Sequence, residues 1–267
     1  MPRKSRVSFE RGIQSYVHHN HDLLEKVILA AILPGVAGAM NASGFFVLGI
    51  YTSHMTGIVA RIADEVAKSE FVSAFHVSFV LAAFFAGAVV SAALVEFGKN
   101  RHRGRYLLPL LLEAIALTFF AINTWKTANG AVAHPVQATS LLCFAMGMQN
   151  ALVTRISGAV VRTTHVTGIV TDLGIETFHV ARWYVSHIRG KGIAAWFHGV
   201  KQIANDPEFD RGRLHVAIFV SFFSGAIVGP VLYLRYGADA MFVPVVVLVA
   251  LAVFDASFGL VRRPRGH

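Results

Sequence analysis

Charge is scarce in this chain. Asp, Glu, Lys and Arg make up 15% of its 267 residues, against 55% hydrophobic ones, whereas a soluble domain is about a quarter charged. With a mean hydropathy of +0.56, the medium around most of the chain is lipid. Cysteine is scarcer still. The single Cys143 excludes an intrachain disulfide and a thiolate metal site. Also missing are H-E-x-x-H, G-x-S-x-G and a P-loop lysine, so metalloprotease, serine-hydrolase and nucleotide-hydrolase chemistry lack their usual residues. Neither an enzyme nor a cofactor is expected. The net charge of +9 arises from Lys and Arg lying between apolar runs, not in one basic module with interleaved aromatics, which argues against a nucleic-acid partner. His18, His19 and His21 sit in a charged tail without the fixed geometry of a metal site, so no metal is expected there.

What is present is long apolar runs. Six windows suit a bilayer helix, at about 27–50, 71–95, 106–125, 136–156, 214–235 and 240–261. The runs are continuously apolar and not alternating, which predicts helices over a membrane barrel. The expected fold is all-α: a multi-pass protein with six transmembrane helices. Residues 1–26 are polar and basic, too long a lead for a cleaved signal peptide, and are read as a cytoplasmic N-terminal segment. Lys and Arg test the arrangement, because they collect on the cytoplasmic side. Alternate segments hold 20 of them against 4, as expected for six spans with both termini cytoplasmic. Residues 262–267 form a basic tail. Within the loop 173–213, Phe178, Ala181, Val185 and Ile188 recur at helical spacing, predicting an amphipathic helix on the inner leaflet with Trp183 and Trp196 near the headgroups, with a small partner-binding helix as the lesser alternative.

The chain also repeats itself. Gly38–Ala42 (GAMNA) pairs with Gly147–Ala151 (GMQNA). Ser53–Val59 (SHMTGIV) pairs with Thr164–Val170 (THVTGIV), and Phe84–Ala88 (FFAGA) with Phe222–Ala226 (FFSGA). The blocks keep their order in two segments, 27–125 and 136–261. Three spans in each copy place the second upside down relative to the first, predicting two inverted three-helix repeats, a plan used by secondary transporters. These paired blocks resemble the YoaK family, also described as the DUF1275 domain, over about Val27 to Val261. The resemblance implies a bacterial inner-membrane protein and leaves the mechanism open. Where that family commonly has asparagine after the first threonine and glycine, this chain has Ile58.

Residues with chemistry are few inside the spans. The two H-x-T-G blocks supply His54, Thr56 and Gly57, then His165, Thr167 and Gly168. Their glycines allow the backbone to unwind and their threonines offer hydroxyls, so a pseudo-symmetric substrate site is one expectation. Helix caps with interfacial histidines are the other. Asn41, Gln149 and Asn150 lie in apolar surroundings and need partners, either across the two halves or on a substrate. Glu113 and Asp255 sit in the third span of each half. Intramembrane carboxyls imply function by default, here proton or cation coupling; the alternatives are a neutral acid hydrogen-bonded to a neighbouring helix or, for Asp255, a place close enough to the inner surface to reach water. Local solvation is expected for Asp172. Gly35, Gly38, Gly87 and Gly225 are expected to permit close helix approach, and Pro34, Pro109, Pro230 and Pro244 to kink their helices.

The expected function is a small-solute or ion permease, with the lipid bilayer and an unidentified solute or ion as partners. A channel would need a continuous polar path, which a homo-oligomer could supply. A membrane scaffold is a further alternative, and an intramembrane enzyme stands last.

Overall fold

The computed structural model describes residues 32–99, 101, 103–125, 135–156, 164–187, 192, 197, 199, 206 and 209–258. The N-terminal segment 1–26 with its histidines, Ile188, Trp196 and the tail 262–267 lie outside them. All described elements are helical. They are α1 (Ile32–Leu48), α2 (Met55–Ala67), α3 (Phe71–Phe97), α4 (Leu107–Trp125), α5 (Pro135–Ile156), α6 (Val166–His187), α7 (Asp210–Tyr236), a 3-10 turn (Gly237–Met241) and α8 (Phe242–Phe258).

Four stretches are long and apolar enough to cross a membrane: Phe71–Phe97, Leu107–Thr124, Pro135–Ile156 and Asp210–Phe258. The last contains α7 and α8, separated where Gly237 takes φ +62, a left-handed conformation open to glycine at little cost. The α3 surface explains why lipid must surround it. Phe71, Phe75, Phe79, Phe85, Val89 and Phe97 are all exposed, a far larger apolar face than water tolerates. Buried residues concentrate instead on α4 and α5, where Leu110, Leu117, Phe120, Leu142, Met146 and Leu152 meet Leu33, Met40, Ile218 and Leu248.

Lipid is as apolar as a leucine side chain, so helices in it associate through packing rather than through hydrophobic burial. Glycine provides that packing at two crossings. A Cβ on Gly38 of α1 would run into the Phe222 carbonyl oxygen of α7, and one on Gly225 into the Gly35 carbonyl oxygen. Likewise a Cβ on Gly147 of α5 would strike the Phe84 carbonyl oxygen of α3, and one on Gly87 the Phe144 carbonyl oxygen. The expectation for Gly35, Gly38, Gly87 and Gly225 is met, and Gly147 acts in the same way. Along α1 and α7 the contacts advance together, from Gly35 with Ser221 to Ala39 and Ser43 with Gly229, so the two helices run in the same direction.

Two of the four prolines do not act as kinks. Pro109 and Pro244 are the third residues of α4 and α8, in a first turn whose N–H groups have no intrahelical acceptor anyway. Pro230 does lie inside α7.

Gly38→Val and Gly147→Val are expected to destabilise the protein by about 3 kcal/mol each, the upper end for overpacking, because the obstacle is backbone. Gly174→Ala, with nothing within 4 Å of the added carbon, is the control. Thermal unfolding in detergent, followed by size-exclusion fluorescence, reads the difference.

Candidate functional site

Both H-x-T-G blocks open a new helix, α2 and α6, instead of ending an old one. α1 closes at Gly49, in the left-handed region at φ +73, and residues 49–54 return toward the core before α2 begins. This return frees backbone groups, and side chains satisfy them. Asn41 Oδ1 accepts the Ser53 N–H at 3.0 Å, and the Cys143 thiol of α5 donates to the Thr52 carbonyl at 3.1 Å. The His54 ring then folds over Gly57, where any Cβ would collide with it. The bare glycine is therefore used for space, not for unwinding.

From there α2 runs back along α3. Ile58 clusters with Val80 and Cys143, flanked by Met55, Val77, Leu81 and Phe84, and the Lys68–Glu70 turn joins the far end of α2 to the start of α3. Phe84 lies about 20 Å along α3 at 1.5 Å per residue, half the length of that helix. His54 and Gly57 thus sit near the middle of a long apolar helix, beside a cavity of about 200 Å³ that also touches Tyr51, Arg61 and Val77. Thr56 is exposed.

The second block repeats these features. Asn150 Oδ1 accepts the Thr164 N–H at 3.2 Å, and its Nδ2 pairs with the Thr164 hydroxyl. The His165 ring folds over Gly168 as His54 does over Gly57. Ile169, like Ile58, is buried, and Thr167, like Thr56, is exposed. α6 also runs back along the next helix. Asp172 faces His215 and Glu176 lies on Gly212 and His215, so α6 and α7 are antiparallel. Seven residues before Asp172, His165 falls level with about Phe222, the middle of α7.

Asn41 and Asn150 therefore hold their own downstream loops, a partner the sequence expectation does not include. Gln149 points elsewhere: it is fully buried and faces Glu113 of α4. Asp255 Oδ2 accepts the Tyr106 N–H at 2.7 Å and its carbonyl the Gly104 N–H at 2.9 Å. That carboxylate ties the start of α4 to the end of α8. In the segment expected on the inner leaflet, Phe178, Ala181 and Val185 are exposed. The helix itself begins earlier, at Val166, and lies along α7 rather than apart from it. Between the two is a groove of about 840 Å³ lined by Leu173, Glu176, Val180, Val216 and Val220.

Three residues escaped the reading of the sequence. Extending the second block match by six positions pairs Glu65 with Glu176. In both, Oε2 is buried without a hydrogen-bond partner among the described residues. Glu65 lies 3.5 Å from Arg61 Nε on its own helix. Glu176 lies 3.3 Å from Nδ1 of the buried His215, whose Nε2 is 3.8 Å from Asp172. The local solvation expected of Asp172 thus omits a partner.

Removing either asparagine should release its loop. Asn41→Leu and Asn150→Leu each leave an N–H without its acceptor, at a cost of about 2 kcal/mol. Hydrogen exchange at Ser53 or Thr164 should then speed up by about 30-fold, since 1.4 kcal/mol is tenfold.

No curated protein and no solved structure matches the chain. The family model described as "Protein of unknown function (DUF1275)" matches residues 29–254. The resemblance seen in the paired blocks is thereby met, and the chain belongs to the DUF1275 family.

Proposed function

We propose that this protein is a small-solute or ion permease of the bacterial inner membrane, with six spans arranged as two inverted three-helix repeats and both termini cytoplasmic. The observation that carries the proposal is the exchange of crossings. The first helix of each half packs on the second span of the other at equivalent glycines, Gly38 with Phe222 and Gly147 with Phe84. The shared direction of α1 and α7 agrees, because α3, α4 and α5 crossing between them would return the chain to its starting side.

Inversion gives the two broken segments a purpose. Each places a histidine, a threonine and a bare glycine half-way along a spanning helix, and irregular backbone at such depth is tolerated where it lines a cavity. His54, Thr56 and Gly57 form one half-site, and His165, Thr167 and Gly168 the other. Asn41 and Asn150 hold the breaks in shape. Rocking of one half against the other about the glycine crossings would open the half-sites in turn. Glu113 is the coupling acid, and Asp255 fixes the α4–α8 junction.

Screening solutes and ions for a rise in thermal stability should find a ligand, since binding to the folded state stabilises it. That rise is expected to vanish in the double variant His54→Ala, His165→Ala. In proteoliposomes loaded with the ligand found, Glu113→Gln should remove the dependence of uptake on a pH gradient. Full pH-driven uptake by Glu113→Gln rules out coupling through that acid. Single-channel currents in a planar bilayer would replace the carrier with a channel. An unchanged cellular phenotype for the double histidine variant would favour a scaffold.

A further inference from the structure

Glu113 and Gln149 are both 0% exposed and face each other between α4 and α5. None of their four side-chain polar atoms completes a hydrogen bond with a described residue, and no ion pair among the described residues includes Glu113. The two side chains belong to different halves, one to the last span of the first and one to the first span of the second. A charge left alone in such a place is among the most expensive arrangements a protein can hold.

Two kinds of cation could cancel it. A metal ion fits poorly, because these side chains offer three oxygens where sodium-like and calcium-like ions take about six or more. No group of three His, Cys, Asp or Glu side chains suited to a metal exists among the described residues. A proton fits well. A neutral carboxylic acid presents one donor and one acceptor on the same edge, and so does a primary carboxamide.

We propose that Glu113 carries a proton and closes a cyclic acid–amide pair with Gln149 across the seam between the halves. The Glu113 O–H donates to Gln149 Oε1, and Gln149 Nε2–H donates to the Glu113 carbonyl oxygen. Gln149 is the positioning residue, since its amide complements the neutral acid. The consequence for transport rests on the permease proposal; the pair itself does not. Separation of the halves lets water reach the carboxyl. The O–H bond then breaks, its electron pair stays on the carboxylate oxygen, and the proton passes to the water.

Infrared difference spectroscopy of the full chain in lipid nanodiscs tests the pair directly. At neutral pH the spectrum should contain a protonated-carboxyl C=O band that exchanges slowly in D2O. The band should be lost entirely in Glu113→Gln, kept in Asp255→Asn, and shifted to higher wavenumber in Gln149→Leu, where the carbonyl loses its donor. Glu113→Gln preserves shape, so a folding failure is not expected, and unchanged circular dichroism checks this. Absence of any band removed by Glu113→Gln overturns the proton. A band that Gln149→Leu leaves in place overturns the pairing. If the band behaves as described while uptake ignores the pH gradient, the pair stands and its coupling to transport falls.

Discussion

Everything in this fold rests on two places where helices touch backbone to backbone. Helices in lipid gain nothing by hiding apolar side chains from one another, so association must come from surface contact. Gly38 and Gly147 allow a carbonyl oxygen of the neighbouring helix to occupy the space of a side chain. The consequences spread from there. With α5 held against α3, Leu142 and Cys143 come beside Gly44 and Thr52, forming the floor on which the returning segment after α1 rests. Without that crossing, the freed Thr52 carbonyl would lose its donor.

A chain that breaks inside a bilayer must satisfy each backbone group it releases, at several kcal/mol apiece if it fails. Here the asparagines do so locally, 12 and 14 residues downstream of themselves. The histidines then occupy the space left by glycine, and the polar residues of the block are held near the middle of α3 and α7 by the helices they begin. In the proposed reading, function and structure are not alternatives for these residues. Asn41 and Asn150 act through the backbone, while under the permease proposal the exposed Thr56 and Thr167 and the overlying rings are left to the solute.

The long apolar helices are legible in the sequence because continuous apolarity over about 20 residues matches the thickness of a bilayer and suits little else. Helices α1, α3, α4, α5, α7 and α8 fall within or close to the six windows. The glycine contacts are legible for a similar reason: small residues in lipid have a narrow repertoire. Helices α2 and α6 read only as loops or as a later amphipathic stretch, because charges such as Arg61, Asp64 and Asp172 interrupt their apolar residues. Proline is misjudged at 109 and 244, since periodicity does not fix a helix start to within a turn. The partners of Asn41 and of Gln149 are not legible at all. Which side chain meets which depends on helix rotation, and an apolar span reads alike at every rotation. Glu65 and Glu176, by contrast, are within reach of a longer comparison of the two halves.

The same comparison shows where the halves differ. Both carry a glutamate eleven residues after the histidine, packed where its helix meets the next one. In the first half its neighbouring cation is Arg61, one turn back on the same helix. In the second half Arg61 is replaced by Asp172, and the neighbour is His215 from α7, set between two carboxylates. The first contact stays within one helix, whereas the second joins α6 to α7. Under the proposed inverted-repeat permease, two halves of equal sequence would hold its two states at equal energy. In that proposal, a glutamate that bridges two helices in one half and stays on one helix in the other sets the two states apart in energy.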